Sequence, residues 1–205
     1  PSKTATIGIG IITTVKPLTV GPAVVQPTLQ IRLTPLVLAP DIFADAFEGA
    51  ALSGWTANGG TWSDIGAAMQ GQSPAGDAWN IKNAQGSDIL YEGKVNLKTG
   101  NAVGLVFRSS SNGTSSYDVI LDAAEGVFKI SKRPPYQVLA SKAMTVQRNR
   151  DYTIRVTAKG KQIEAYLDGT KLLSVTDNTY TTGRFGVLVY RGTATFDDLK
   201  AWTYR

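Results

Sequence analysis

From residue 43 to the C-terminus, apolar and polar residues alternate in short runs, and a turn signal interrupts the pattern about every ten residues. TWSDIGAAM, DILYEGKVNL, NAVGLVFRSS, YDVILDA, GVFKISK, YQVLAS, DYTIRVTA, KQIEAYLDG, KLLSVTD, RFGVLVYRG and ATFDDLKAWTY read as strands. The turns fall at Asn58-Gly59-Gly60, Asn112-Gly113, Glu125-Gly126, Lys159-Gly160 and Asp168-Gly169. Asp168-Gly169 is the clearest hairpin signal, because a type I′ turn needs positive φ at both central residues. No segment sustains a helical period. The pattern predicts an all-β protein, an antiparallel β-sandwich over residues 41–205.

Residues 1–40 have a different texture. Prolines recur at Pro17, Pro22, Pro27, Pro35 and Pro40, and strand-like pieces such as TATIGIGIIT lie between them. Proline opposes helix and is tolerated in extended chain. The expectation is an extended N-terminal arm, reaching about 130 Å when fully stretched. An uncharged, strand-prone segment invites pairing with another chain, so the arm predicts contacts with other subunits of a homo-oligomeric assembly. The segment lacks the layout of a signal peptide. A chain opening Pro-Ser-Lys suits a trimmed initiator methionine, with maturation from a longer precursor as the alternative.

Composition narrows the chemistry. The 205 residues include no cysteine and no histidine, which excludes disulfides, thiolate nucleophiles, Cys/His zinc sites and histidine-based triads. Residues 1–40 carry Lys3, Lys16 and Arg32 and no acid, a charge too dilute for a nucleic-acid arm. No apolar run has membrane-spanning length. No nucleic-acid or membrane partner is expected.

The phrases FADAFEGAALSGWTANGGTWSD, AVGLVFRSS, YDVILDA, YTIRVTAKGKQIEAYLDGTKLLSVTD and GRFGVLVYRGTATFDDL occur in an order that resembles the concanavalin A-like lectin and glucanase sandwiches. Within that group the chain is most similar to the family 66 carbohydrate-binding modules, known for fructan binding, and to laminin-G-like domains. The resemblance spans residues 43–203 and leaves the arm uncovered. It implies a jelly-roll sandwich, and in related domains a structural Ca²⁺ often lies where the first and last strands meet. Asp45, Glu48 and Asp197 are the candidate ligands, since hard cations take carboxylate oxygens.

A sugar site needs aromatic faces and forked charged groups. The candidates are Trp79, Arg108, Tyr117, Arg133, Tyr136 and Arg191. Alternation in AVGLVFR sets Val103, Leu105 and Phe107 on one face and Arg108 on the other, and Trp79 with Arg108, supported by Tyr117, is the leading pair. Trp55 and Trp62 are expected to pack in the core. Catalysis is not expected. The ExDxxE strand motif of the related sandwich hydrolases is absent, and Asp197 and Asp198 are adjacent, so on a strand they face opposite ways.

Two functions follow. The leading reading is a structural protein of a virus particle, a capsid or tail decoration of a tailed bacteriophage, anchored by its arm and displaying a lectin-like sandwich that binds glycans. The alternative is a secreted, non-catalytic bacterial carbohydrate-binding module of the fructan type.

Overall fold

Every regular element among the described residues is a strand, as the alternation predicts. The computed structural model describes residues 39–49 and 51–205. The expectations for the arm and its subunit contacts lie outside the described residues, apart from Ala39 and Pro40. The unit from Pro40 to Arg205 is built of β1 (Phe43–Asp45), β2 (Trp55–Asn58), β3 (Thr61–Asp64), β4 (Met69–Gly86), β5 (Ile89–Ser109), β6 (Ser116–Asp122), β7 (Val127–Arg133), β8 (Gln137–Ala143), β9 (Tyr152–Lys159), β10 (Gln162–Leu167), β11 (Thr170–Thr176) and β12 (Gly183–Thr203). Among the described residues no helix is long and apolar enough to cross a membrane.

Three long strands make the sandwich. The first half of β5, Ile89–Val95, pairs with β9, and the second half, Ala102–Phe107, pairs with β6. β12 runs antiparallel beside β5 through both halves, and β4 runs beside β12. One layer is therefore β11, β10, β9, the start of β5 and the end of β12, with β1 also on β12. The other is β8, β7, β6, the end of β5, the start of β12, and the end of β4 with β2, while the start of β4, with β3, continues the first layer beside β12. The segments DILYEGKVNL and NAVGLVFRSS, two strands by pattern, are one continuous strand that bends, and the last two predicted strands likewise merge into β12.

The bend has a steric cause. A Cβ on Gly100 would run into the carbonyl of Arg191, and one on Gly192 into the carbonyl of Thr99. The two backbones approach so closely there that neither position admits a side chain. At the other signalled turn, between β10 and β11, Asp168 and Gly169 have φ of 48° and 80°, the left-handed pair that a type I′ turn requires.

The core lies between the layers. Phe107, Tyr117, Phe128 and Val187 of the second layer meet Tyr91, Ile154, Val156 and Phe196 of the first. Burying each such side chain contributes about 1.5–3 kcal/mol. Trp55 and Trp62 pack against this core, Trp55 edge-on to Phe43 and Trp62 tilted over Phe196.

Candidate functional site

The outward face of the second layer departs from the usual wet outer face of a sandwich. Strand alternation points Tyr117, Val119 and Leu121 of β6 into the core, and Asp118, Ile120 and Asp122 outward. On β7, Phe128 and Ile130 point inward, and Lys129, Ser131 and Arg133 outward. Yet the outward Ile81, Ala102, Val106, Ile120 and Leu188 are almost fully covered and form a second apolar cluster, with Trp79 and Tyr190 packed against it. The outward Asp118 is 0% exposed.

These residues enclose a recess of about 230 Å³. Its floor is Ala102, Ile120 and Leu188. Asp77 and Tyr190 stand on one side, and Lys129, Arg133 and Tyr136 on the other. Arg133 organises the charges. Its Nε donates to Asp118 Oδ2 and a terminal nitrogen to Asp77 Oδ2, both at 2.8 Å. The guanidinium carbon lies 5.2 Å from the ring centre of Trp79 and 5.3 Å from that of Tyr136. Lys129 donates to Asp122 at 2.9 Å and to Glu125 at 2.7 Å.

Burial sets the ionisation of this network. It pushes the Asp118 carboxyl up from its usual value, against the pull of Arg133 and a 2.8 Å hydrogen bond from Ser116 Oγ. Burial works against the Arg133 charge too, but Asp118 and Asp77 outweigh it and raise its pKa. Lys129 is also raised, because Glu125, Asp122 and Tyr136 overcome the desolvation of its ammonium. Two cations are thus held in place with their carboxylates at the edge of an apolar floor. Tyr136, 50% exposed, offers an aromatic face beside them. Apolar surface with a few fixed polar groups is the common make-up of small-ligand sites.

Of the six residues proposed from sequence, Trp79, Arg133 and Tyr136 come together here. Trp79 is partly buried, and Gly113 of the β5–β6 turn lies against it, leaving no room for a Cβ. Arg191 stands outside the recess, over the ring of Tyr190 at 5.2 Å. Arg108 and Tyr117 are elsewhere, and the expected pairing of Trp79 with Arg108 is not found. The register between β5 and β12 shifts around Phe107 and Arg108, and Arg108 has φ of 46°. This bulge breaks the alternation and turns Arg108 into the end of the sandwich, where it is 2% exposed. There it donates to the carbonyls of Ser87, Gly160 and Tyr180. Tyr117 is an inward core residue stacked on Phe107, and its hydroxyl donates to Asp177. Asp77, Asp118, Asp122, Lys129 and Tyr190 were not proposed from sequence. The readable signal was a pair of acids, Asp118 and Asp122, four residues apart on one face of YDVILDA, a strand whose other face is wholly apolar.

The proposed calcium ligands do not converge. β1 does lie beside β12, with Asp45 opposite Leu199. However, Asp45 accepts from Trp55 Nε1 at 2.7 Å and from Lys82 at 3.0 Å, Asp197 lies 3.8 Å from Lys94, and Glu48 is exposed. Among the described residues no three acidic side chains are grouped to hold a metal ion.

Two antiparallel layers with a charged, aromatic-edged recess on one outer face define a lectin-like sandwich, and comparison with solved structures agrees. A carbohydrate-binding module of family 66 from Bacillus subtilis is 32% identical, with a TM-score of 0.69, and the match covers 73% of this chain and 95% of that one. The chain belongs to the family 66 carbohydrate-binding modules. A B. subtilis protein with a galectin-like fold has a TM-score of 0.60 at 14% identity, covering 78% of this chain and 98% of that one, and shares the fold. The levanase of B. subtilis strain 168 is 31% identical over 153 residues, 72% of this chain. The chain spans 22% of that levanase's length. No family model matches the chain. These relatives favour the second of the two readings made from sequence. The virus-particle reading, with its virion location, finds no support among them. It rested on residues 1–40, nearly all of them outside the described structure.

Proposed function

We propose that the sandwich is a non-catalytic carbohydrate-binding module whose recess takes a sugar unit of a levan-type fructan, and that it acts outside the cell, where such polymers lie. The observation that carries this reading is the setting of Arg133. Two carboxylates and two aromatic rings fix its guanidinium over an apolar floor, while one terminal nitrogen has no acceptor among the described residues and so has donors to offer a ligand. The sugar's C–H face would lie on Tyr136 and its hydroxyls would reach Arg133, Asp77 and Lys129. The levanase relative supplies the choice of polymer. The same geometry argues for binding over cleavage. A glycosidase needs one carboxyl free to act as acid and another as base or nucleophile. Here Asp77 and Asp118 are engaged by Arg133, and Asp122 and Glu125 by Lys129.

Isothermal titration of the full chain against levan, inulin and an unrelated glucan tests the proposal. Levan is expected to bind. Tyr136→Ala should weaken it on the order of tenfold or more while leaving the melting curve in place, and Arg133→Lys, which keeps a charge for Asp118 but loses the fork, should weaken it by at least as much at a temperature below its own melting point. A chain that binds none of the three, or binds levan equally well in both variants, would overturn the proposal.

A further inference from the structure

Arg133 and Tyr136 stand at the two ends of one short turn. Arg133 closes β7, Pro134 and Pro135 follow, and Tyr136 precedes β8. The two prolines carry no backbone N–H. The turn therefore has few donors of its own with which to hold its shape, and the ties that fix it must come from elsewhere in the fold.

One set of ties comes from the loop between β11 and β12, residues 177–182. The Tyr180 hydroxyl donates to the backbone carbonyl of Arg133 at 2.7 Å. Tyr180 is itself braced. Its N–H donates to the Tyr117 hydroxyl at 3.2 Å, its ring stands edge-on to that of Tyr117, and its carbonyl accepts from Arg108 at 3.1 Å. The preceding residue of β7, Lys132, donates to Asp177 at 2.7 Å and to Thr179 at 2.8 Å, so the loop grips the strand at two successive residues. Asp77 and Asp118 fix the guanidinium of Arg133, whereas this loop fixes its backbone. Arg108 and Tyr117, which lie outside the recess, are linked to it through Tyr180.

We infer that Tyr180 is a positioning residue of the sugar site. It does not line the recess. By holding the Arg133 carbonyl it sets the base from which the guanidinium and the Tyr136 ring reach the ligand. This inference rests on the function proposed above.

Two hydroxyl deletions test it. Tyr180→Phe keeps the ring against Tyr117 and removes the bond to Arg133. Tyr152→Phe is the matched control, since the Tyr152 hydroxyl accepts from the backbone N–H of Gln147 at 2.8 Å and belongs to the first layer. In titrations of the full chain with levan, affinity should fall on the order of fivefold in Tyr180→Phe and hold in Tyr152→Phe. By nuclear magnetic resonance, the Arg133 Nε–H that donates to Asp118 should exchange with water faster in Tyr180→Phe and at its original rate in Tyr152→Phe. Levan affinity that is unchanged in Tyr180→Phe, or lowered equally in both variants, would overturn the positioning role and leave the recess standing. An unaltered chain that binds no levan would overturn the proposed function instead. The exchange rate then still decides whether Tyr180 positions Arg133: faster exchange in Tyr180→Phe alone supports it, and an unchanged rate overturns it.

Discussion

Arg133 and Asp118 carry a structural duty alongside their place in the recess. Asp118 is fully buried, and its charge is tolerated because Arg133 lies 2.8 Å away. Arg133→Met should therefore cost about 3–5 kcal/mol in urea unfolding, since it strands a buried carboxylate. Adding Asp118→Asn should recover much of that loss. A single-variant cost below 1 kcal/mol would show that Asp118 does not depend on this partner. A second ionic cluster behaves oppositely with pH. Desolvation works against the Asp177 charge, but Lys132, Thr179 and Tyr117 overcome it and hold its pKa far below the usual carboxylate range. A depressed folded pKa stabilises above the unfolded value and loses that contribution as pH falls through the folded one. Asp177→Asn should thus cost about 1–2 kcal/mol at neutral pH, with the gap narrowing below about pH 4. Melting curves at both pH values check this.

At the scale of elements, the bend is the decisive feature. Gly100→Ala and Gly192→Ala should each destabilise by about 1–3 kcal/mol, because β5 and β12 must separate to admit a methyl group. Denaturant midpoints at constant slope would show it. The bend also explains which parts of the fold were legible in the sequence. Period-two alternation located the strands of β6, β7, β9, β10 and β11, and Asp168-Gly169 marked their sharpest hairpin. The joining of two segments into β5, and of two into β12, was not legible, because glycine reads locally as a turn whether or not the ladder continues through it. β4 was missed for a related reason: Pro74, its glycines and its polar residues hide a strand that keeps pairing with β12 on both sides of the proline. The site was half legible. Arg133 and Tyr136 announce themselves by residue type, whereas Arg108 misled because a bulge inverted its face. Asp77 and Lys129 matter only through what the topology places beside them.

At the scale of the whole molecule, the described core is drawn from residues 42–201. A chain reduced to residues 40–205 should fold alone, unfold in one cooperative transition and bind levan as the full chain does; a molten or aggregated fragment would contradict this. The chain spans 22% of the length of the B. subtilis levanase. The central claim is that the ligand enters the recess around Arg133, and the most direct measurement is a map of amide chemical shifts during titration with a levan-derived trisaccharide. The account predicts that the largest changes fall on Lys129, Arg133, Tyr136 and Tyr190. Shifts confined to the opposite layer, around Glu92, Arg155 and Glu164, would contradict it.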